Sequence, residues 1–320
     1  MIGQVGADPA VPVDPTVRAI LALAQGPGEG GFDPERARAG LRALTVTARS
    51  PASVASVRAV EPLSVEGMDA RVYRPESQGP VPTVVYFHGG GFVLGDLDTH
   101  DNHCRWLCRE TGAAVVSVAY RRAPEWPFPA AVDDAVRAVA WAARNVDALG
   151  GLPGPPAVAG DSAGANLATV TAQVGAGGGG PRPSAQLLTY PVTDMREDAG
   201  YPSRRTYGTG HLLTADAMRW FRSCYRPGAA SPLASPILGR LAGLPPAVVV
   251  TMGHDPLRDE GEAYAAALAG AGVPVVRHRF DALVHGSFEL PVLSPACAEA
   301  MRTAFGSFRG LLTRSGSEAR

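Results

Sequence analysis

The chain has 320 residues, of which 46% are apolar, 18% charged and 7% aromatic, and its formal net charge is -1. This is the composition of an ordinary globular protein, and the length is slightly more than one hydrophobic core usually sustains, so we expect one large domain with a smaller appendage. The near-neutral charge offers no basic field for a phosphate backbone, which argues against a nucleic-acid partner.

The basic residues other than histidine, 29 in total, are all arginine. A chain without lysine excludes a P-loop of the usual form, a lysine Schiff base and a Ser-Lys nucleophile pair. If the protein is an enzyme, histidine must carry its protons.

The opening segment MIGQVGADPAVPVDP has neither the basic nor the apolar region of a signal peptide, and no apolar run of about 18 residues could span a bilayer. We therefore expect a cytoplasmic protein without a membrane span. The four cysteines are too scattered for a disulfide framework and lack the paired spacing of a zinc site, so we predict free buried thiols and no bound metal. They are Cys104, Cys108, Cys224 and Cys297.

The sequence pattern of residues 1–60 predicts a helical appendage without strands. Apolar periodicity favours helices over Thr16–Ala24 and Pro34–Leu44, which are separated by the glycine-rich GPGEGGF.

From about Ala70 onward, short runs rich in β-branched residues alternate with amphipathic stretches, a pattern typical of a mostly parallel sheet with helices on both faces. Strands are predicted at Ala70–Tyr73, Thr83–Phe87, Ala114–Val118, Ala157–Ala159, Gln186–Tyr190, Val248–Met252 and Val275–Phe280. The clearest helices are predicted at Asp101–Glu110, Val132–Arg144, Ala163–Val174, Glu260–Ala269 and Pro295–Leu312.

The alternation stops between Pro191 and Pro236, where a long polar stretch leads to a short helix predicted at Ala215–Tyr225. An insertion of this length is typical of a lid or cap rather than a structureless loop. The sequence thus predicts an α/β core of about eight strands over residues 61–190 and 237–320, with a lid at 191–236.

The strongest motif is Gly160-Asp161-Ser162-Ala163-Gly164, which follows an apolar strand and precedes a helix-forming run. A G-x-S-x-G sequence at such a turn predicts a strained serine whose hydroxyl is lifted above the sheet. The amide of Ala163 would then lie at a helix N-terminus, where a developing negative charge is favoured. The alternative is a plain glycine-rich turn.

A second motif, His88-Gly89-Gly90-Gly91-Phe92, comes directly after the strand TVVYF. A glycine-rich loop at this point can present bare amides to the oxyanion of a tetrahedral intermediate. We assign the amides of Gly90 and Gly91, with that of Ala163, to an oxyanion hole.

Seven histidines are candidates for the base. His285 is favoured, because it follows the last predicted strand, at the carboxyl edge where open α/β sheets place their sites. His88 belongs to the glycine loop and His278 alternates within a strand, while His100 and His103 precede the serine and His211 lies in the predicted lid.

The orienting acid in this fold class lies between the serine and the histidine in chain order. Asp255 and Asp194 each follow a predicted strand in that interval. Asp255 is favoured because one helix and one strand separate it from His285, so that their loops emerge side by side. Asp194 remains the second candidate, and a helix N-cap is the alternative role for Asp255.

The motifs HGGGF, YRRAPEWPFPAA, GDSAGAN, YPVTD and DPLRDEGEAYA, with the later HG, resemble those of bacterial esterases related to hormone-sensitive lipase. The resemblance runs from about Gly67 to the C-terminus. It implies an α/β-hydrolase fold in which residues 1–60 and the 191–236 insertion form a helical cap. It also implies a carboxylic ester hydrolase with Ser162 as nucleophile, Asp255 as acid and His285 as base.

The resemblance also implies hydrolysis of short to medium acyl esters through an acyl-enzyme, without a cofactor. Dimers are frequent in such families, so a homodimer through the last strand and helix is an open option. Alternatives are an amidase or lactamase with the same triad, or a non-catalytic binding protein on the same scaffold. The chain departs from the family pattern at Arg122, Ala165 and Ser287.

Other conspicuous groups receive structural interpretations. Glu125, Asp133 and Asp134 are predicted to brace loops and a helix start, and Asp161 to fix the serine turn by hydrogen bonds. The aromatic residues of the central region could line an acyl pocket or fill the core and cap. These are Trp126, Trp220 and Phe221.

Overall fold

A computed structural model of the protein describes residues 11–23, 33–47, 49–228 and 230–317. At its centre is an eight-stranded sheet in the order β1-β2-β4-β3-β5-β6-β7-β8. The strands are β1 (Ala59–Val65), β2 (Met68–Arg74), β3 (Thr83–Phe87), β4 (Ala114–Val118), β5 (Ala157–Asp161), β6 (Gln186–Thr189), β7 (Ala247–His254) and β8 (Val275–Val284).

Strands β3 to β8 run parallel to one another, whereas β1 and β2 are antiparallel to their neighbours. The buried strands β3, β4 and β5 are covered on both faces, as expected where helices pack on each side of a parallel sheet. The prediction of a mostly parallel sheet of about eight strands is confirmed.

Strand β1 was not predicted from the sequence. It pairs with β2 through a two-residue turn at Glu66 and Gly67. Both turn residues have positive φ, 50° and 82°, as a tight hairpin requires. The strand lies at the sheet edge, is only partly buried and contains Pro62. It therefore lacks the apolar alternation that marks a half-buried strand.

Helices cover both faces of the sheet. Val85 and Phe87 of β3 pack into one apolar core, and the alternate residues Val84 and Tyr86 pack into another. Helices α4, α5 and α8 contribute to the first core, whereas α3 and α9 contribute to the second. The helices are α1 (Pro15–Leu23), α2 (Pro34–Arg42), α3 (Asp101–Thr111), α4 (Ala130–Arg144), α5 (Ala163–Ala176), α6 (Pro202–Thr206), α7 (Ala215–Tyr225), α8 (Arg258–Gly270) and α9 (Pro295–Ser317).

Most predicted elements agree with the structure to within a few residues, and β8 is extended from its predicted end at Phe280 to Val284. Ala24 and the GPGEGGF segment lie outside the described residues. The four cysteines are free and buried, as predicted. Within the described ranges no helix combines the length and apolarity that crossing a bilayer requires.

Candidate active site

Ser162 lies at the turn between β5 and α5, with φ 52° and ψ -116°. This conformation is rare for a residue with a side chain, and the surrounding glycines allow it. A Cβ on Gly160 would lie 2.3 Å from the carbonyl carbon of Gly164, and a Cβ on Gly164 would lie 1.9 Å from the carbonyl oxygen of Phe87. The glycines of the motif are therefore a steric requirement of this turn.

The loop after β8 brings His285 to the serine. The Nε2 atom of His285 is 3.0 Å from the Ser162 hydroxyl oxygen, and its Nδ1 atom is 2.9 Å from Oδ2 of Asp255. A carboxylate only accepts hydrogen bonds, so Nδ1 carries the hydrogen and Nε2 presents its lone pair to the hydroxyl. Serine and histidine are each 8% exposed, and the aspartate is fully buried.

The loop after β7 places Asp255, rather than Asp194, beside the histidine. Oδ1 of Asp255 also accepts a hydrogen bond from the Leu257 amide at 2.8 Å, which fixes the carboxylate. Asp194 is engaged elsewhere, because its two oxygens accept hydrogen bonds from the guanidinium of Arg196 at 2.9 and 2.7 Å. Of the two carboxylates considered from the sequence, Asp255 is the one that contacts the histidine.

The HGGGF loop approaches the serine through its central glycines. Gly90 and Gly91 have φ of 111° and 61°, and both line the cavity into which Ser162 opens. Among the described residues, no acceptor takes the amide hydrogen of Gly90 or Gly91. Ala163 is the first residue of α5, a position whose amide has no partner within its helix. Three amides thus remain available near the hydroxyl.

Asp161 ties the HGGGF loop to the serine turn. Its Oδ1 accepts hydrogen bonds from the Tyr86 hydroxyl at 2.6 Å and from the Gly89 amide at 2.8 Å. A Cβ on Gly89 would lie 2.2 Å from the other carboxylate oxygen, so the loop backbone is packed directly on this side chain. Asp161 therefore fixes the position of the glycine loop as well as the turn.

A buried ion cluster lies next to this contact. Nε2 of His100 is 3.7 Å from Asp161 and 3.9 Å from Glu289, and Nδ1 of His103 is 2.8 Å from Glu289. Burial lowers the pKa of His100, but the charges of Glu289 and Asp161 outweigh it and raise the pKa to about 9. The sequence reading assigned no role to His100, His103 or Glu289, because only the fold brings them together.

The same cluster is the group whose geometry comes nearest to a metal site in the described part of the chain. One donor atom from each of His100, Asp161 and Glu289 lies within 4.8 Å of the others. A histidine binds a metal as neutral imidazole. With a pKa of about 9, His100 is a cation at neutral pH, which disfavours metal binding and offsets part of the charge of the two carboxylates. These residues therefore fit an internal ion cluster better than a metal site.

A cavity of about 480 Å³ opens above Ser162 and His285. Its apolar lining comes from the core, from the last turn of α2 and from residues 191–236, of which Met218 and Phe221 belong to α7. The apolar side chains are Leu41, Phe92, Leu94, Val192, Met195, Leu212, Leu213, Met218, Phe221 and Leu257. The lining is suited to the hydrocarbon part of a small organic molecule.

The sequence left open whether three aromatic residues line a pocket or fill the core, and the structure places each of them differently. Phe221 lines the cavity and packs on the glycine loop, since a Cβ on Gly91 would lie 2.3 Å from its ring. Trp220 is partly buried against the core. Trp126 is 54% exposed and lies outside the cavity. Only Phe221 therefore contacts both the cavity and the glycine loop.

Two bracing predictions agree with the contacts of the structure. Glu125 pairs with Arg38 of α2 at 2.6 Å. Asp134, which is fully buried, accepts hydrogen bonds from the backbone and side chain of Arg121 at 2.8 to 2.9 Å. Both carboxylates thus brace the segment between β4 and α4.

Comparison with known proteins gives similarity over nearly the whole chain. A family model described as an alpha/beta hydrolase fold matches residues 84–289. The carboxylic ester hydrolase LipN of Mycobacterium tuberculosis (strain ATCC 25618 / H37Rv) is 40% identical over 320 residues, covering 94% of this chain and 84% of that protein. Carboxylesterase NlhH of the same strain is 39% identical over 297 residues, covering 90% of this chain and 92% of that protein.

The solved structures agree with this result. The monoclinic form of an esterase from Pyrobaculum calidifontis superposes with a TM-score of 0.87 at 40% sequence identity, covering 93% of this chain and 99% of that chain. The thermostable carboxylesterase EstE1, cloned from a metagenomic library, superposes with a TM-score of 0.83 at 39% identity, covering 88% of this chain and 98% of that chain. The similarity therefore extends over the sheet and most of the surrounding segments.

Proposed function

Because this chain belongs to the α/β-hydrolase family, among the carboxylic ester hydrolases related to hormone-sensitive lipase, we propose that it cleaves esters through an acyl-enzyme on Ser162. The observation that carries this mechanism is the continuous hydrogen-bonded series from Asp255 through His285 to Ser162, with distances of 2.9 and 3.0 Å, at the floor of an apolar cavity.

In the first half-reaction, Nε2 of His285 takes the hydroxyl proton while Oγ of Ser162 bonds to the ester carbonyl carbon. The carbonyl oxygen becomes an oxyanion in the tetrahedral intermediate. When this intermediate collapses, the bond to the alcohol oxygen breaks and His285 gives its proton to the leaving alcohol. Asp255 stabilises the imidazolium and maintains its orientation without taking the proton.

In the second half-reaction, His285 takes a proton from water, and the resulting hydroxide attacks the acyl carbon. Collapse of the second tetrahedral intermediate breaks the bond to Ser162, and the proton on His285 returns to Oγ. The acid is released, and the enzyme regains its starting protonation state. His285 carries every proton that is transferred in this cycle, so the mechanism requires no cofactor.

We assign the stabilisation of the oxyanion to the amides of Gly90, Gly91 and Ala163. Donors fixed before the reaction are worth about 3 to 4 kcal/mol each when they meet charge that develops in the transition state. Asp161 supports this role because it fixes the preceding glycine amide at 2.8 Å. The absence of other acceptors for Gly90 and Gly91 among the described residues also supports it.

We propose short to medium acyl esters as substrates, with a cap formed by residues 1–60 and 191–236 over a core of residues 61–190 and 237–320. The volume of about 480 Å³ is at the smaller end for small-molecule sites, and its lining is largely apolar. Leu41 and Thr45 reach the cavity from the first cap segment, and Met218 and Phe221 from the second.

Hydrolysis of p-nitrophenyl esters of increasing chain length, by wild type and Ser162→Ala, tests the proposal. We expect turnover that is highest for short to medium chains and falls by about 10⁶-fold in the variant. An acyl-enzyme detected by intact mass on a slow ester, and missing in Ser162→Ala, would establish the covalent step. Equal turnover by both proteins would exclude Ser162 as nucleophile, and preference for matched anilides would favour an amidase.

A further inference from the structure

A second cavity, of about 260 Å³, adjoins His88, the first residue of the HGGGF loop. It shares no lining residue with the cavity above Ser162. Its walls come from α2, from the loop after β3 and from the segment that follows β4. The lining residues with ionisable side chains are Arg38, His88, Asp96, Tyr120, Arg121, Arg122 and Glu125.

All but one of the arginine and carboxylate side chains that line this cavity form ion pairs. Arg38 binds Glu125 at 2.6 Å. Arg121 binds Asp134 at 2.8 Å, and Asp96 binds Arg42. Arg122 is left over, because no carboxylate of the described residues lies within 4.0 Å of its guanidinium. Among the described residues, Arg122 is therefore the one arginine of this cavity without an ion-pair partner.

The hydrogen bonding of Arg122 is also incomplete. In the described part of the chain, its guanidinium donates to one group, the carbonyl oxygen of Gly95, through Nη1. A guanidinium has five N–H donors, so most of them remain available to a ligand. Burial and the nearby charge of Arg38 lower the pKa of Arg122, and the charges of Asp96 and Glu125 offset this effect only in part. An anion in the cavity would supply the missing partner.

His88, which lines the same cavity as Arg122, has an acceptor without a partner among the described residues. Its Nδ1 lies 2.9 Å from the carbonyl oxygen of Gly89, so Nδ1 carries the hydrogen and Nε2 is a bare lone pair. Nε2 is buried and has no hydrogen-bond partner in the described residues. The ring is fixed by stacking on Tyr120, with centroids 4.3 Å apart. Burial lowers the pKa of His88 to about 3, which preserves this acceptor at neutral pH.

We propose that this cavity is a binding site for a small anion that also carries a hydroxyl group. The anionic oxygens pair with Arg122, and the hydroxyl donates to Nε2 of His88. Monoanionic phosphate has both features, and the volume of about 260 Å³ leaves room for a small organic group on it. The site is independent of the function proposed for Ser162.

Isothermal titration of the full-length protein with inorganic phosphate, in mildly acidic buffer where the monoanion dominates, tests this assignment. We expect one saturable site whose Kd rises about tenfold or more in Arg122→Gln, since charge-assisted hydrogen bonds are lost. Glutamine can still donate to the Gly95 carbonyl, and retained ester hydrolysis checks that the variant folds. Arg277→Gln, which removes an exposed arginine of β8, is the matched control and should bind phosphate like wild type.

Dimethyl phosphate tests the role of His88 separately from that of Arg122, because it has the same charge as monoanionic phosphate but no hydroxyl group. We expect it to bind several-fold more weakly than phosphate to wild type. Equal binding of the two anions would overturn the role of His88. Failure of wild type to bind phosphate, or unchanged binding by Arg122→Gln, would overturn the site itself.

Discussion

The guanidinium of Arg38 donates hydrogen bonds to both carboxylate oxygens of Glu125, at 2.6 and 2.7 Å. The same side chain donates to the carbonyl oxygens of Val93 and Ala123 at 2.8 and 2.9 Å. These contacts join α2 to the loop after the glycine motif and to the segment after β4. One side chain thus holds α2 against both of these segments.

Replacing Arg38 by alanine is expected to raise KM for medium-chain esters about three- to tenfold, with kcat nearly unchanged. The affected contacts hold α2, whose Leu41 lines the cavity, and they do not reach Ser162. A partly exposed ion pair contributes only about 1 kcal/mol. Steady-state kinetics over the ester series measures the effect. Arg302→Ala, which removes an ion pair on α9, is the control. A fall in kcat at constant KM would contradict the positioning role.

Asparagine substitutions separate the two carboxylates considered for the acid. Asp255→Asn should lower kcat by about 10⁴-fold, because an amide no longer fixes the productive tautomer of His285. Asp194→Asn should lower kcat less than tenfold, since Asp194 pairs with Arg196 and has no contact with the histidine. Pre-steady-state and steady-state assays of both variants give the comparison. A larger loss for Asp194→Asn would reverse the assignment.

A methyl group on Gly91 should lower kcat/KM by about 100-fold or more, the scale on which one oxyanion donor acts. The added Cβ would lie 2.3 Å from the ring of Phe221, so the glycine loop or α7 has to move. The double variant Gly91→Ala/Phe221→Ala should recover part of the loss, because the obstructing ring is gone. Kinetics of the two single variants and the double variant measure this coupling. Strictly additive losses would show that the steric contact is not the cause.

The ion cluster predicts a pH-dependent stability. The pKa of His100 rises from 6.5 to about 9 on folding. A raised pKa gives stability that is fully present below the unfolded value and is lost as the pH rises through the folded value. The melting temperature of wild type should therefore decrease between about pH 6.5 and 9.

Glu289→Gln tests this explanation, because it removes the largest charge that raises the pKa of His100. We expect a lower melting temperature near neutral pH and a flatter pH dependence across the same range, by differential scanning calorimetry. Glu299→Gln, at an exposed site on α9, is the matched control and should keep the wild-type slope. An unchanged slope in Glu289→Gln would refute the contribution of this cluster.

Local patterns predicted the part of the structure that depends on local geometry. The turn at Ser162 requires glycines two residues away on either side. Its conformation could therefore be predicted from five consecutive residues of the sequence. The position of His285 follows from strand order, because it directly follows β8. Strand β1 was missed because it is a short edge strand whose pairing depends on a two-residue turn.

Sequence patterns did not predict two contacts between residues that are far apart in the chain. Phe221 meets Gly91, and Glu289 meets His103, across 130 and 186 positions of the chain. Periodicity reports which side of an element is apolar, but it does not report which distant element packs there. The contact of Phe221 with Gly91 and the ion cluster are therefore visible only in the structure.

The separation of 123 residues between Ser162 and His285 has a consequence for biosynthesis. The serine turn follows β5 near the middle of the sheet, whereas the histidine follows β8, the last strand in chain order, at the sheet edge. On the proposed mechanism, a nascent chain cannot hydrolyse an ester until β8 has left the ribosome and paired with β7. The onset of esterase activity during synthesis would thus report the pairing of β8 with β7.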